Sequence, residues 1–246
     1  MRSAEPERRI LRRWTVAALA VILLATLAVA FTYTPLFAAR DIRVRGSGGI
    51  PRGEVLLLAR VDERSNLFHL DTRAVERRLE RDPRILEARV STSLPDRLAI
   101  EIVSRTPVGV MGGVGTAMDL VGADGVVIGP AKRTVDLPAL VASNGGPIGA
   151  GRLATAAATA GALDPVLRRV VDAVVVGPDG GLEVRVAAGF SASFGDATEL
   201  QAKAASLAAL IAWVDAQDIS VVSADLSVPG SPTAKLAPGS TAVPVP

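Results

Sequence analysis

The sequence predicts an α+β protein: a single N-terminal transmembrane helix, then a small β-α-α-β-β domain, then a mixed, mainly antiparallel β domain with flanking helices. Three observations carry this. The 26 residues from Trp14 to Ala39 hold no charge. From Ile42 to Val228, short runs alternate apolar and polar residues with a period of two. Stretches with helical spacing interrupt those runs, first as a close pair and later singly at 152–163 and 198–214.

Composition narrows the function. Of 246 residues, 49% are hydrophobic and 21% charged, enough for a real core and too apolar for wholesale disorder. Cysteine is absent, which excludes disulfides, a thiol nucleophile and a Cys-ligated metal. His69 is the single histidine, so a His-rich metal site is excluded too. Aromatic content of 3% is too thin for base-stacking platforms. Residues 1–39 carry five Arg against two acids, residues 40–109 carry 14 basic and 11 acidic groups, and residues 110–246 carry 8 and 12. No long single-sign run tracks phosphates, so nucleic acid is not an expected partner. Gly-x-Ser-x-Gly, His-Glu-x-x-His and Walker A strings are absent. The expectation is a chain with no catalytic residue, cofactor, metal or small-molecule substrate.

Residues 1–13 are expected in the cytoplasm and 14–37 across the membrane. At ~1.5 Å per residue the helix would extend about 36 Å, against a hydrocarbon core of ~30 Å. Thr15, Thr26, Thr32 and Thr34 interrupt it, and their hydroxyls can bond the helix's own carbonyls. Trp14 and Tyr33 fall where interfacial aromatics belong, and the arginines before the span leave everything after Arg40 outside the cytoplasm. A cleavable signal peptide ending at Ala28-Val29-Ala30 is the rival reading; hydrophobic sequence continuing through Ala39 favours the span.

Residues 40–109 form the first domain. Ile42–Arg45 is a strand closed by Gly46-Ser47-Gly48-Gly49. Pro51 opens a helix with Val55, Leu56, Leu58 and Ala59 inside. Asp71 caps a helix over 72–81 that buries Val75 and Leu79 and leaves Glu76, Arg77, Arg78, Glu80 and Arg81 wet, and Pro83 stops it. Strands follow at Ile85–Thr92 and Leu98–Ser104, around Leu94-Pro95-Asp96.

In the second domain, 110–236, strands are expected at Met111–Leu120 and Gly125–Ile128 around the Gly122-Ala123-Asp124-Gly125 turn. A helix over 152–163 precedes the strand Val170–Val176. Leu182–Val186 and Phe190–Phe194 form a hairpin. Residues 198–214 make a helix with an apolar stripe of Leu200, Leu207, Leu210 and Ile211 and a snorkelling Lys203. Ile219–Val222 and Ala224–Val228 end the sheet, and 237–246 is a loose tail. Gly149-x-Gly151-x-x-Ala154 imitates a dinucleotide fingerprint, but loop precedes it.

A family resemblance rests on ordered fragments. They are Asn66-Leu67-Phe68-x-Leu70-Asp71-Thr72; Pro83 with Glu87-Ala88-x-Val90; Leu94-Pro95-Asp96-x-Leu98-x-Ile100-x-Ile102; and Arg105-x-Pro107-Val108. Directly after one N-terminal span, this order resembles the POTRA domain of the FtsQ/DivIB family of bacterial cell-division proteins. Asp124-Gly125-Val126-Val127, Leu137-Pro138-Ala139-Leu140, Gly195-Asp196 ahead of Lys203, and Asp225-Leu226-Ser227-Val228-Pro229 are similar to passages of that family's β domain. One departure stands at Arg84, where the family often has an aromatic. The resemblance implies a non-enzymatic divisome scaffold in the cell membrane at the division septum. It would bind FtsB/DivIC-like and FtsL-like partners and help regulate septal wall synthesis. It also implies that the last strand, Thr233, Ala234, Lys235 and Leu236, lies at a sheet edge where a partner strand adds, so that Lys235→Pro would remove a ladder donor and weaken binding with the fold intact. A second partner surface is expected at Glu87, Val90 and Thr92. The competing classes are a tethered or secreted hydrolase, which would need a pocket with convergent polar groups, and a secreted binding domain released by a signal peptidase. A POTRA-bearing outer-membrane assembly protein would need a barrel for which the chain has no room.

Overall fold

The computed structural model describes residues 5–112, 118–131, 136–146 and 148–238. They form two compact units, one running through Ser104 and the other starting at Arg105.

The first unit begins with helix α1, Glu5–Thr32, followed by a 3-10 turn at Pro35–Phe37. The apolar stretch Val16–Phe37 is long enough to cross a membrane, but it is not one continuous α-helix. Pro35 disfavours helical backbone at the residue before it and has no N–H to donate, so α1 stops short of the expected Phe37. Thr26, Thr32 and Thr34 donate their hydroxyls to the carbonyls of Ile22, Val29 and Phe31, as the sequence suggests; the side chain of Thr15 lies outside the described residues.

Strand β1 (Asp41–Arg45), helices α2 (Arg52–Ala59) and α3 (Thr72–Leu79), and strands β2 (Ile85–Ser93) and β3 (Arg97–Ser104) follow in the expected order. The sheet order is β1-β3-β2, with β1 parallel and β2 antiparallel to the central strand. Val55 and Ala59 of α2 and Val75 and Leu79 of α3 pack on Ile42, Ala88, Val90, Leu98, Ile100 and Ile102. Asp71 caps α3 by accepting the N–H of Ala74 at 3.0 Å. Glu76 and Glu80 are not merely solvated. Their carboxylates accept the N–H groups of Val90 (2.8 Å) and Ala88 (3.3 Å) on the outer edge of β2. Arg84, where the family's aromatic is missing, bonds Asp82 and Glu54 and so ties α2 to the start of β2. The guanidinium holds the Asp82 carboxyl below its usual range.

The second unit is built on one nine-stranded sheet. Strands β4 (Pro107–Met111), β5 (Asp119–Gly122) and β6 (Val127–Pro130) form a meander at one end. The single strand expected over 111–120 is therefore the end of β4 and the start of β5, and 113–117 lies outside the described residues. The turn between β5 and β6 depends on Gly125: its φ is +78°, and a Cβ there would sit 2.6 Å from Ala154 Cα. Strand β7 (Ala139–Ala142) runs parallel to β4 and to β8 (Val171–Val176), crossing through helices α4 (Ala150–Ala162) and α5 (Pro165–Arg169). Helix α5, absent from the sequence expectation, starts on Asp164, whose carboxylate accepts from Val166 and Leu167 at 2.8 Å, with Pro165 at its first position. A strand does precede the Gly149–Ala154 motif, but residues 143–149 separate them. Gly149 and Gly151 face open space, so no tight turn or close approach uses those glycines.

Strands β9 (Leu182–Val186) and β10 (Phe190–Gly195) complete an antiparallel meander with β8. Helix α6 (Leu200–Gln217) crosses to β11 (Val221–Asp225), which runs parallel to β10, and β12 (Thr233–Leu236) closes antiparallel to β11. The two strands expected over 219–228 are one, β11. The sheet order is β12-β11-β10-β9-β8-β7-β4-β5-β6. Leu182, Val184, Val186, Phe190, Ala192 and Phe194 alternate onto one face, where Leu153, Ala156, Ala157 and Ala160 of α4 and Ala204 and Leu207 of α6 join the core.

Lys203 corrects an expectation: it does not snorkel. It is 1% exposed, and its ammonium donates to the Asp196 carboxylate (2.8 Å) and to the Asp196 carbonyl (3.0 Å). The helix begins only a few residues after the end of β10, so the long side chain folds back onto that turn instead of reaching water.

Two tests follow from these contacts. Glu76→Ala should lower the stability of the first unit by about 1 kcal/mol in urea unfolding, the usual net worth of one hydrogen bond, and speed amide exchange at Val90, with Glu76→Gln losing less. At neutral pH, Asp196→Ala should destabilise the second unit by leaving the buried ammonium half-partnered, whereas Lys203→Met should be neutral or stabilising. The Lys203 ammonium, then the Thr198 hydroxyl and N–H, hold the Asp196 carboxyl well below 3.8. Its contribution is thus present above pH 3.8 and lost as acid titrates the folded protein. Acid unfolding of Asp196→Ala should accordingly show a shallower loss in that range than the parent.

Candidate functional site

β12 is the terminal strand of the nine-stranded sheet, where the family resemblance implied an edge. Thr233, Ala234 and Lys235 are exposed and Leu236 is half-buried. Ala237 donates its N–H to Ser220 O at 2.9 Å, and Lys235 and Thr233 lie opposite Ser223 and Asp225. Alternation along an antiparallel strand then points the N–H and C=O groups of Thr233 and Lys235 at β11 and those of Ala234 and Leu236 outward. Lys235→Pro would therefore break the β11–β12 ladder, and the substitution that removes an outward donor is Ala234→Pro.

Side chains alternate in the perpendicular direction. Lys235 and Thr233 lie over the face that carries Ser191, Ser193, Ser223 and Asp225. The Ser227 hydroxyl and N–H hold the Asp225 carboxyl below its usual range. On the other face a groove of about 560 Å³ runs between α6 and β12, lined by Ser206, Leu210 and Trp213 of the helix and by Pro232, Ala234 and Leu236. Ser206, Leu210 and Trp213 share one helical face through their spacing of four and three. Ser206 donates its hydroxyl to Pro229 O (3.1 Å), which fixes the approach to β12 against α6. The indole Nε1 of Trp213 is buried without a hydrogen-bond partner among the described residues. A buried donor of this kind costs free energy until an acceptor arrives.

Sequence reasoning missed this groove. Leu210 was read as core stripe and Trp213 was not singled out. The signal available was the i, i+3 spacing of Leu210 and Trp213 on a helix immediately before the terminal strands. Ala234 and Leu236 do come together with it, whereas the side chains of Thr233 and Lys235 face the other side.

Glu87, Val90 and Thr92 do not form one surface. Val90 is 7% exposed and packs in the core under α3. Glu87 points to the other face of the sheet, paired with Arg89 at 2.8 Å. The outward N–H groups of β2 at Ala88 and Val90 are already taken by Glu80 and Glu76.

Among the described residues, no group of three or more His, Asp or Glu side chains is placed to hold a metal ion.

A β-α-α-β-β unit with this strand order, set directly after an apolar helix, defines a POTRA-bearing membrane protein. The family model "POTRA domain, FtsQ-type" matches residues 37–105. The Cell division protein FtsQ of Mycolicibacterium smegmatis is 37% identical over 131 residues, 53% of this chain and 39% of that protein. Its namesake in Mycobacterium tuberculosis is 38% identical over 109 residues, 43% and 35% of the two chains. The Cell division protein DivIB of Geobacillus kaustophilus is 29% identical over 98 residues, 40% and 38%. These matches thus span about two fifths of the length of the relatives. Over residues 37–105 the chain matches the FtsQ-type POTRA domain, and it is similar over part of its length to the FtsQ and DivIB cell-division proteins.

Proposed function

We propose that this protein is a non-enzymatic, single-pass scaffold of the bacterial divisome, its N-terminus cytoplasmic and both folded units outside the membrane, at the division septum. It captures an extended segment of a partner by strand addition to β12, the partner being of the FtsB/DivIC type with an FtsL-like protein in the same assembly. Holding those partners helps regulate septal wall synthesis.

The single observation that carries this reading is the bare outer edge of β12 beside the apolar groove. Backbone groups of Ala234 and Leu236 supply two-sided ladder bonding without reading sequence, and the groove takes alternate side chains of the added strand. A tether also raises the effective concentration of one membrane-anchored protein for another, so a short strand pairing suffices. The arginines at positions 2, 8, 9, 12 and 13, ahead of the span, favour the N-in orientation.

Titration of the ectodomain with a peptide from the extracytoplasmic part of the FtsB-like protein of the same organism tests this. Ala234→Pro should weaken binding about tenfold, the equivalent of ~1.4 kcal/mol, with an unchanged unfolding midpoint. Trp213→Ala, which removes a wall of the groove, should weaken it several-fold. Unaltered affinity in both variants would sink the edge as the binding site.

A further inference from the structure

The end of the apolar span is not followed by a free linker. Asn66 donates its side-chain amide to Thr32 O (2.7 Å), one of the terminal carbonyls of α1. His69 Nε2 lies 2.9 Å from the Thr32 hydroxyl, and its ring stacks on Tyr33 at 4.4 Å. Leu67 donates its N–H to Phe37 O (2.8 Å), and Ala39 to Ser65 O (3.0 Å). Phe37 contacts Phe31 on the span (5.7 Å) and Phe68 on the domain (5.5 Å). From the other side, Asp96 O accepts the N–H groups of Arg40 and Asp41, which brings the β2–β3 turn beside the same junction. The 65–69 loop therefore locks onto the last turn of α1 and the residues through Ala39, and the β2–β3 turn holds Arg40 and Asp41 just beyond.

This junction leaves apolar side chains in the open. Phe31, Tyr33 and Leu36 are 55%, 68% and 48% exposed, and they are continuous with the lipid-facing side of α1. Phe68 and Leu94, at the tips of the two locking loops, are 50% and 52% exposed. Phe68 packs against Phe37, the last residue of the apolar stretch, so it sits at the depth where that stretch ends.

We infer that the POTRA unit has a built-in footing on the bilayer: Phe68 and Leu94 insert into the interfacial layer beside the span, and the Asn66–Thr32 and His69–Tyr33 contacts keep the unit from swivelling off it. The occupant of this apolar rim is the lipid interface, because the rim is continuous with a helix that is itself bathed in lipid and carries the aromatic residues favoured at that depth. The inference rests on α1 spanning the membrane and adds that the folded unit after it is seated, with β1 and β3 leading away from the surface. At ~3.3 Å per residue, β1 carries the chain about 13 Å from its start near the junction to Arg45.

The absence of cysteine permits single-site labelling. Full-length protein carrying a spin label at Phe68→Cys, Leu94→Cys, Val21→Cys or Glu101→Cys is reconstituted in phosphatidylglycerol/phosphatidylethanolamine nanodiscs. Accessibility to oxygen and to a water-soluble nickel chelate is then measured. Glu101, opposite Arg45 at the far end of β1, is the aqueous reference, and Val21 the lipid reference. The oxygen-to-nickel ratio at 68 and 94 should exceed that at 101 several-fold and fall short of that at 21. Leu94, whose side chain lies on an exposed turn, keeps the test valid if Phe68→Cys loosens the junction. Water-like ratios at 94 and 68, or shielding from both reagents, overturn the footing. A water-like ratio at 21 instead overturns the membrane-spanning reading itself.

Discussion

The main-chain groups at the ends of a β-sheet must find partners or face water, and the two sheets of this protein solve that constraint differently at each end. The outer edge of β2 is roofed by α3, whose Glu76 and Glu80 carboxylates take the N–H groups that strand addition would use. On β1, Arg52 donates to Ile42 O. Among the described residues, no carboxylate or guanidinium bonds the outward groups of Ala234 and Leu236 on β12. An edge left uncovered beside an apolar groove is of the kind that can accept a further strand.

Around those edges the packing is ordinary and the exceptions are informative. Each unit places helices on one face of its sheet, so apolar residues alternate inward along nearly every strand. Two charged contacts sit at short connections: the buried Lys203 meets Asp196 because α6 begins so soon after β10, and the partly exposed Arg84 bridges Asp82 and Glu54 where aromatic packing is absent. Both are connections between a helix and the strand end nearest it, where apolar area is smallest and a directed contact gains most.

What the sequence made legible was what depends on periodicity and local chemistry. The apolar span, the Asp71 cap, the inward faces of α3 and β3 and the hairpin of β9 with β10 are all readable from spacings of two, three or four residues. Illegible were contacts set by which elements become neighbours. Glu76 and Glu80 look solvated on a helical wheel, and only the crossing of α3 over β2 gives them backbone donors. Val90 belongs to the partner surface that the family resemblance implies, yet it lies on the side of β2 that this same helix buries. The groove beside Trp213 exists because β12 returns along β11 next to a helix that ended before β11 began. Helix α5 was different: Asp164-Pro165 is a local start signal, and its shortness hid it.

A bare edge carries a risk of indiscriminate pairing, and the sequence around β12 limits it. The strand is only four residues long, is preceded by Pro229 and Pro232, and carries the exposed charge of Lys235. Backbone pairing alone cannot choose a partner, since every chain has the same N–H and C=O groups. Choice must come from the two faces. On one, an added strand would place apolar side chains at alternate positions into the space bounded by Leu210, Trp213 and Leu236. On the other, it meets the Lys235 ammonium and the Asp225 carboxylate across a polar surface. A segment with that alternation and a complementary charge pattern satisfies both faces in one register only, because a one-residue slip exchanges them. On the proposed reading, specificity arises from the same period-two geometry that builds the sheet, and the strand can stay short because the groove beside it would read what the ladder cannot.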